Sequence, residues 1–144
     1  MIRPGEALDI ILEKTPRLDA VRLPLVDALG CVLAKPVASD LDLPPFDKSA
    51  MDGYAVRSVD VAKTPVELTV VEELPAGVAP TKTVTRGTCA KIMTGAPVPE
   101  GADTVVMVED TEPAGEHRVR ILRATPDRPN VCLRGEDVRE GQQV

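Results

Sequence analysis

Apolar residues recur at helical spacing near the start of the chain. Leu8, Ile11 and Leu12 repeat on one side of a helical turn, which predicts an amphipathic helix from Pro4 to Lys14. Proline is favoured in the first turn of a helix, and Pro16 ends the apolar pattern shortly afterwards.

The next segment has a mixed pattern. Alternating apolar residues from Val21 to Leu25 predict a short strand, and Pro24 within it indicates an edge position. The stretch from Leu25 to Ala34 predicts a brief helix that ends near Gly30.

From about Val66 the apolar period changes from helical to two. This period predicts several short strands separated by turns that contain glycine and proline, which is typical of a barrel or a curled sheet. The predicted strands are Val66 to Val70, Cys89 to Met93, Thr104 to Val108 and His117 to Leu122. The turns between them are Pro75 to Gly77, Gly95 to Gly101 and Pro113 to Gly115. The end of the chain, Glu140 to Val144, resembles a strand entering a turn, which favours a chain that stops in mid-fold.

Composition excludes several classes of protein. With 144 residues, 43% hydrophobic and 28% charged, the chain suits one globular domain or two small lobes. Phe46 and Tyr54 are the only aromatic residues, and the net charge is −6. We therefore expect no nucleic-acid partner, because such sites need aromatic stacking or a basic surface.

Cysteine and histidine usage also limits the chemistry. Cys31, Cys89 and Cys132 are odd in number and widely spaced, which argues against a disulfide framework or a zinc site. His117 is the single histidine. The N-terminus has no signal-peptide apolar region, and the longest apolar run, Val105 to Val108, is far too short for a membrane span. We therefore expect a reduced, cytoplasmic protein with no membrane partner.

The first of three polar loops lies within Leu43 to Val56, LPPFDKSAMDGYAV. Lys48 and Ser49 bring a charge and a hydroxyl together, and Asp52-Gly53 predicts a tight reversal with left-handed backbone angles. A solvated hairpin turn is the alternative interpretation. The loop adjoins apolar sequence, however, and functional groups are often carried by loops on a rigid scaffold.

The second loop runs from Met93 to Asp103 between two predicted strands. Gly95 would allow a close backbone approach, and the Thr94 hydroxyl with nearby amides could contact an oxyanion or phosphate. A structural hairpin loop is the alternative here, and the Walker A pattern is absent.

The third loop is Arg134-Gly135-Glu136-Asp137. Its arginine could grip an oxyanion, and its carboxylates could hold Mg²⁺; a salt-bridged turn is the alternative. If the three loops meet, Asp52, Thr94 and Asp137 would lie beside Lys48 and Arg134, a set that suits a metal-assisted phosphoryl or oxyanion reaction.

The three loops together resemble a known family. PPFDKSAMDGYAV, KIMTGAPVPEGADTVVMVED and RGED, in this order and spacing, are similar to the N-terminal part of the molybdopterin molybdenumtransferases, the family of bacterial MoeA and the gephyrin E domain. The resemblance covers the chain from Pro4 to its end.

The resemblance implies an activity and a set of site residues. Family members insert molybdenum into molybdopterin, using adenylylated molybdopterin, molybdate and Mg²⁺, and form homodimers whose active site is built by both subunits. Asp52, Thr94 and Asp137 match the family's MDG, MTGAP and RGED motifs and are predicted as catalytic residues, with Asp52 and Asp137 also as metal ligands. Lys48, Ser49 and Arg134 are predicted to bind substrate.

The resemblance also implies a fold, an α+β, β-rich arrangement. Residues 1–44 with 134–144 would form a discontinuous α/β lobe that carries the N-terminal helix, and residues 45–133 an inserted lobe of curled β-sheets. Family members are much longer, so the pterin-binding and C-terminal domains would be absent and the fragment inactive alone. Many relatives carry more arginines where this chain has Cys132 and Leu133, so Arg134 is left as the sole guanidinium of that motif.

Two other functions remain open at this stage. The chain could be a scaffold or dimerisation module, with dimer contacts through the N-terminal lobes, or a free-standing binder of a nucleotide or oxyanion. A preference for tungstate over molybdate is equally compatible with these residues.

Overall fold

The chain divides into two compact units. The structure is a computed structural model that describes residues 2–124 and 129–144. The first unit is Met1–Pro36 and the second is Val37–Val144.

The first unit contains the predicted helix. Helix α1 spans Pro4–Lys14, begins with proline in its first turn and buries none of its residues within the chain. The strand predicted from Val21 to Leu25 is wrong: residues 21–24 have no regular structure, and the predicted helix after them is reduced to one 3₁₀ turn, Leu25–Asp27. A strand needs a hydrogen-bonded neighbour, and no described residue pairs with this stretch. None of the helices in the described ranges combines the length and apolar character needed to cross a membrane.

The described part of the second unit is built from short strands. They are β1 (Lys48–Ser49), β2 (Gly53–Val56), β3 (Val66–Leu74), β4 (Thr88–Ile92), β5 (Thr104–Met107), β6 (Thr111–Pro113), β7 (Arg118–Ile121) and β8 (Val131–Cys132). Six of them form one curled sheet in the order β5-β2-β4-β3-β7-β6, in which only β3 and β4 run parallel. The predicted curled sheet is confirmed, and each of the four predicted strands has its counterpart in β3, β4, β5 or β7.

The curled sheet is buried on both faces. Neighbouring residues on a strand point to opposite faces, so Ala55 and Val56 of β2 belong to two different apolar clusters. Leu74 and Ile92 fill the first cluster, and Leu68 fills the second. Each such side chain contributes about 1.5–3 kcal/mol when fully removed from water, so the two clusters fix the strands that carry the first two loops.

Residues before and after the sheet pair with each other. Ala38 bridges to Gln143, Leu43 bridges to Val138, and β1 pairs with β8 in a separate two-stranded sheet. All three pairings are antiparallel. They bring the third loop beside the first, although the two are about ninety positions apart along the chain.

Candidate functional site

Asp52 and Thr94 meet where β2 begins and β4 ends. The antiparallel register pairs Gly53 with Ile92, which brings the residues just outside both strands together. The backbone N–H and the side-chain Oγ1 of Thr94 both donate to Oδ1 of Asp52, each at 2.7 Å. The Thr94 amide, and then its hydroxyl, hold the pKa of Asp52 below the ordinary aspartate value. The site therefore presents an ionised carboxylate at neutral pH.

Glycine is required at position 53 for a different reason from the one predicted. Gly53 is a strand residue and is not among the residues with positive φ, so the expected left-handed reversal is wrong. A Cβ at this position would overlap the backbone carbonyl of Val106 on β5. Only glycine lets β2 and β5 come this close, and this contact fixes the backbone directly after Asp52.

A surface depression adjoins the Asp52 carboxylate. It has a volume of about 140 Å³, and its lining includes Asp52, Tyr54, Lys91, Met93 and Val108. Most of these side chains are apolar, with one carboxylate and one ammonium among them. An apolar hollow with few polar groups is the usual form of a small-molecule site. Tyr54 and Lys91 lie within the first two quoted motifs, but they were not predicted as site residues because they belong to strands and not to the polar loops between them.

The second loop is hydrogen-bonded to the first through the main chain. The Ser49 amide donates to the carbonyl of Ala96 at 2.9 Å, and the Gly95 amide donates to the carbonyl of Ser49 at 2.8 Å. Gly95 has φ +83°, and a Cβ there would meet no atom within 4 Å, so the backbone angle and not a close approach requires glycine. Ser49 is buried, and its hydroxyl donates to the Met51 carbonyl. Its side chain therefore holds the loop in shape.

The third loop is anchored to the first by Arg134. Its backbone N–H donates to Oδ1 of Asp47 at 2.7 Å, and its Nε donates to Oδ2 of Asp42 at 2.6 Å. Asp42 also accepts the Glu140 amide at 2.9 Å. That amide, and then Arg134, lower the pKa of Asp42. Sequence reasoning missed Asp42, because no motif links it to an arginine 92 positions away.

Lys48 and Asp137 lie near Cys132. Lys48 pairs with Cys132 between β1 and β8, and the Asp137 amide donates to the Leu43 carbonyl at 3.0 Å. The pKa of the Cys132 thiol is raised, chiefly by its hydrogen bond to Glu136; the nearby Asp137 carboxylate adds to the shift and the Lys48 ammonium opposes it. Lys48, Asp137 and Glu136 thus surround one thiol.

The structure groups the predicted site residues in two sets. Asp52 and Thr94 are in direct contact, whereas Lys48, Arg134 and Asp137 lie where the first and third loops pair. No hydrogen bond within the described ranges joins Asp52 to Asp137. Within residues 2–124 and 129–144, no three histidine, cysteine, aspartate or glutamate side chains are grouped as a metal site.

Comparisons with known proteins agree on one family. The model of the MoeA N-terminal region (domain I and II) matches residues 2–144. The molybdopterin molybdenumtransferase of Nostoc sp. is 44% identical over 137 residues, which cover 90% of this chain. The molybdopterin molybdenumtransferase 2 of Mycobacterium tuberculosis is 41% identical over 139 residues, which cover 94% of this chain.

A solved structure gives the same result. The crystal structure of the molybdopterin biosynthesis moeA protein from Pyrococcus horikoshii OT3 superposes with a TM-score of 0.84 and 39% identity, over 97% of this chain and 38% of that chain. The chain spans about a third of the length of its curated relatives, 31% of the Nostoc protein and 34% of the mycobacterial one. Family model, relatives and structure together establish that the chain belongs to the MoeA N-terminal region family.

Proposed function

We propose that this chain is the N-terminal part of a molybdopterin molybdenumtransferase and supplies one side of its active site. The observation that carries the proposal is the Asp52 carboxylate, held ionised by Thr94 beside an apolar depression. Relatives named molybdopterin molybdenumtransferase support it. The proposed substrates are adenylylated molybdopterin and molybdate.

Asp52 is the residue we expect to act on the substrate. Both Thr94 donors bond to Oδ1. The other oxygen, Oδ2, accepts no hydrogen bond from the described residues, so it is available to a ligand. An ionised carboxylate can accept a proton from water or hold a hard cation. Thr94 orients that carboxylate and lowers its pKa.

The residues around Cys132 are proposed to act on the anionic parts of the substrates. Lys48 and Arg134 would supply positive charge, and the Arg134 guanidinium is held in place by Asp42. Ser49 would contribute by fixing the loop that carries Lys48, since its own hydroxyl bonds to Met51. Asp137 would supply the second carboxylate of the site.

The proposed cofactor is Mg²⁺, whose two expected ligands belong to different sets of site residues. Mg²⁺ is commonly held by one or two carboxylates together with substrate phosphate oxygens and water, so it does not need three protein ligands. The carboxylates of Asp52 and Asp137 are the proposed ligands. The ion would neutralise charge on the phosphate oxygens, while the chain's own side chains bind and orient the substrate.

The domain arrangement and the dimer are also proposals. The proposed lobe combines residues 1–44 with 134–144, around an inserted lobe at 45–133. Antiparallel bridges of Ala38 with Gln143 and of Leu43 with Val138 support this for residues 37–44 only. A homodimer through the N-terminal lobes is supported by helix α1, whose Leu12 is 65% exposed. The free thiols of the chain agree with a cytoplasmic location.

Light scattering on a sizing column tests the dimer. We expect the chain to elute as a dimer and the Leu12→Glu variant as a monomer, because the charge would be buried in the contact. Val78→Glu is the matched control, since Val78 is an exposed apolar residue of the second unit. Equal masses for all three proteins would exclude this contact.

Asp52→Asn in the full-length enzyme that carries this chain tests the catalytic role. We expect molybdenum insertion to fall by about a hundredfold or more, the usual range for loss of a general acid or base. Asp40→Asn is the control, because Asp40 is exposed and its carboxylate makes no hydrogen bond within the described ranges. Unchanged insertion in Asp52→Asn would favour the scaffold function instead.

A further inference from the structure

Lys91 forms part of the wall of the depression beside Asp52. It lies on β4, paired with Tyr54 of β2 on one side and Glu73 of β3 on the other. Alternate residues of a strand share a face, so Lys91 lies on the same face as Cys89 and Met93. Lys91 lines the depression together with its strand partner Tyr54.

The depression adjoins a packed apolar cluster through one of its lining residues, Tyr54. Cys89 of β4 and Val106 of β5 are buried on this face, and Tyr54 packs against their cluster. Met93 and Val108 line the depression and are 40% and 46% exposed. One part of the lining is thus held by a packed core, while Met93 and Val108 are partly exposed to solvent.

The Lys91 ammonium is held only loosely by the protein. Its Nζ lies 3.4 Å from Oε2 of Glu73, and the two side chains are 38% and 69% exposed. Ion pairs this exposed contribute little free energy because water and salt screen them. The aliphatic stem can stay against the apolar wall while the ammonium exchanges Glu73 for another anion.

The charges around the depression favour a role for the Lys91 ammonium in binding an anion. The depression is lined by an acidic residue, Asp52, and the chain carries a net charge of −6, so an approaching oxyanion is repelled. Among the described residues that line the depression, Lys91 is the one that carries a positive charge. A cation at this point would offset the repulsion.

We propose that Lys91 is a substrate-binding residue whose ammonium pairs with a tetrahedral oxyanion at the Asp52 depression. The oxyanion is either molybdate or a phosphate group of the organic substrate. The Lys91 stem, the Tyr54 ring and Met93 form the apolar part of the wall beside this ion pair. The inference rests on the proposed function of the Asp52 site.

Steady-state kinetics of the full-length enzyme test this assignment. Lys91→Met should raise the KM for one anionic substrate by about tenfold or more, the usual effect of losing a charge-assisted hydrogen bond, with kcat changed less than threefold. Lys91→Arg should restore the KM, and Glu73→Gln should not raise it. Lys63→Met is the matched control, since Lys63 is an exposed lysine that does not line the depression.

The outcomes separate this inference from the function on which it rests. A rise in the KM for molybdate alone, or for the molybdopterin substrate alone, identifies the source of the oxyanion. An unchanged KM in Lys91→Met, in a variant that melts at the wild-type temperature, overturns the inference, as does a loss confined to kcat. If Asp52→Asn keeps full activity while Lys91→Met raises the KM, the catalytic role fails and the anion site stands. If Lys91→Met fails to fold, Lys91→Arg gives a second test, because its KM should rise with ionic strength as salt screens the ion pair. A KM of Lys91→Arg that does not depend on ionic strength would also overturn the inference.

Discussion

One oxygen of Asp52 accepts both donors of Thr94. The backbone N–H and the hydroxyl of Thr94 each lie 2.7 Å from Oδ1 of Asp52. A carboxylate with two donors on one oxygen is held in a single orientation and favours the ionised form. The other oxygen, Oδ2, accepts no hydrogen bond from the described residues, so a ligand could use it.

Thr94→Val should raise the pKa of Asp52 without returning it to the ordinary value. Valine removes the hydroxyl donor and leaves the backbone amide, which is the larger cause of the lowered pKa. The pKa can be followed by NMR from the side-chain carboxyl carbon of Asp52 during a pH titration. Thr83→Val is the control, because the Thr83 hydroxyl bonds to Glu100 instead. A pKa of Asp52 that is equal in wild type and Thr94→Val would contradict this account.

The Glu72 carboxylate makes stability depend on pH. It accepts the Thr81 hydroxyl at 2.6 Å and the backbone amides of Thr81 and Lys82 at 3.1 Å, which lowers its pKa. A carboxylate whose pKa is lowered in the folded state stabilises the fold at pH values above its unfolded-state pKa. This stabilisation is lost as the pH falls through the folded-state pKa.

We expect Glu72→Gln to be less stable than wild type at pH 7 and the difference to shrink below about pH 4. Urea unfolding of both proteins at several pH values measures this. Glu109→Gln serves as the control, because Glu109 is exposed and its carboxylate makes no hydrogen bond in the described part of the chain. A stability difference that stays constant from pH 7 to pH 3 would show that ionisation of Glu72 is irrelevant.

Two glycines show what the sequence could and could not predict. Both Gly53 and Gly95 were singled out from their motifs, but the reason predicted for each glycine is the one that the structure shows for the other. Gly53 is needed for a close approach of strands and Gly95 for a left-handed backbone angle. A motif records that glycine is required, whereas the reason depends on which backbone passes nearby, and Val106 lies more than fifty positions away from Gly53.

Local patterns predicted the elements better than their partners. Helix α1 and strands β3, β4, β5 and β7 follow from apolar periodicity, because that period is a property of the element itself. The stretch from Val21 to Leu25 has a strand's alternation but no described partner, so it forms no strand. The Asp42 and Arg134 contact was not predictable either, since it depends on the long-range pairing of Leu43 with Val138.

Gly53→Ala tests the close approach of β2 and β5. A methyl group would overlap the Val106 carbonyl, so the strands must separate, and we expect a loss of roughly 1–3 kcal/mol in the free energy of unfolding. Gly5→Ala in helix α1 is the matched control, because its Cβ would meet nothing within 4 Å. That change should be neutral or slightly stabilising. Equal stability of the two variants in urea unfolding would rule out the steric argument.

The three thiols should differ sharply in their reactivity. Burial raises the pKa of Cys89 to about 12, so at pH 8 only on the order of one Cys89 thiol in ten thousand is ionised. Cys31 is exposed, and Cys132 is partly exposed with its pKa raised by Glu136. We expect N-ethylmaleimide to modify Cys31 first, Cys132 more slowly and Cys89 only after unfolding.

Mass spectrometry of peptides from the labelled chain measures this order directly. Labelling in urea provides the control, because all three thiols should then react at similar rates. Glu136→Gln should speed up the labelling of Cys132 and leave Cys89 unchanged, since the Glu136 carboxylate raises the pKa of Cys132, whereas burial raises that of Cys89. Equal labelling of Cys89 and Cys31 in the folded chain would mean that the sheet opens far more often than its packed core allows.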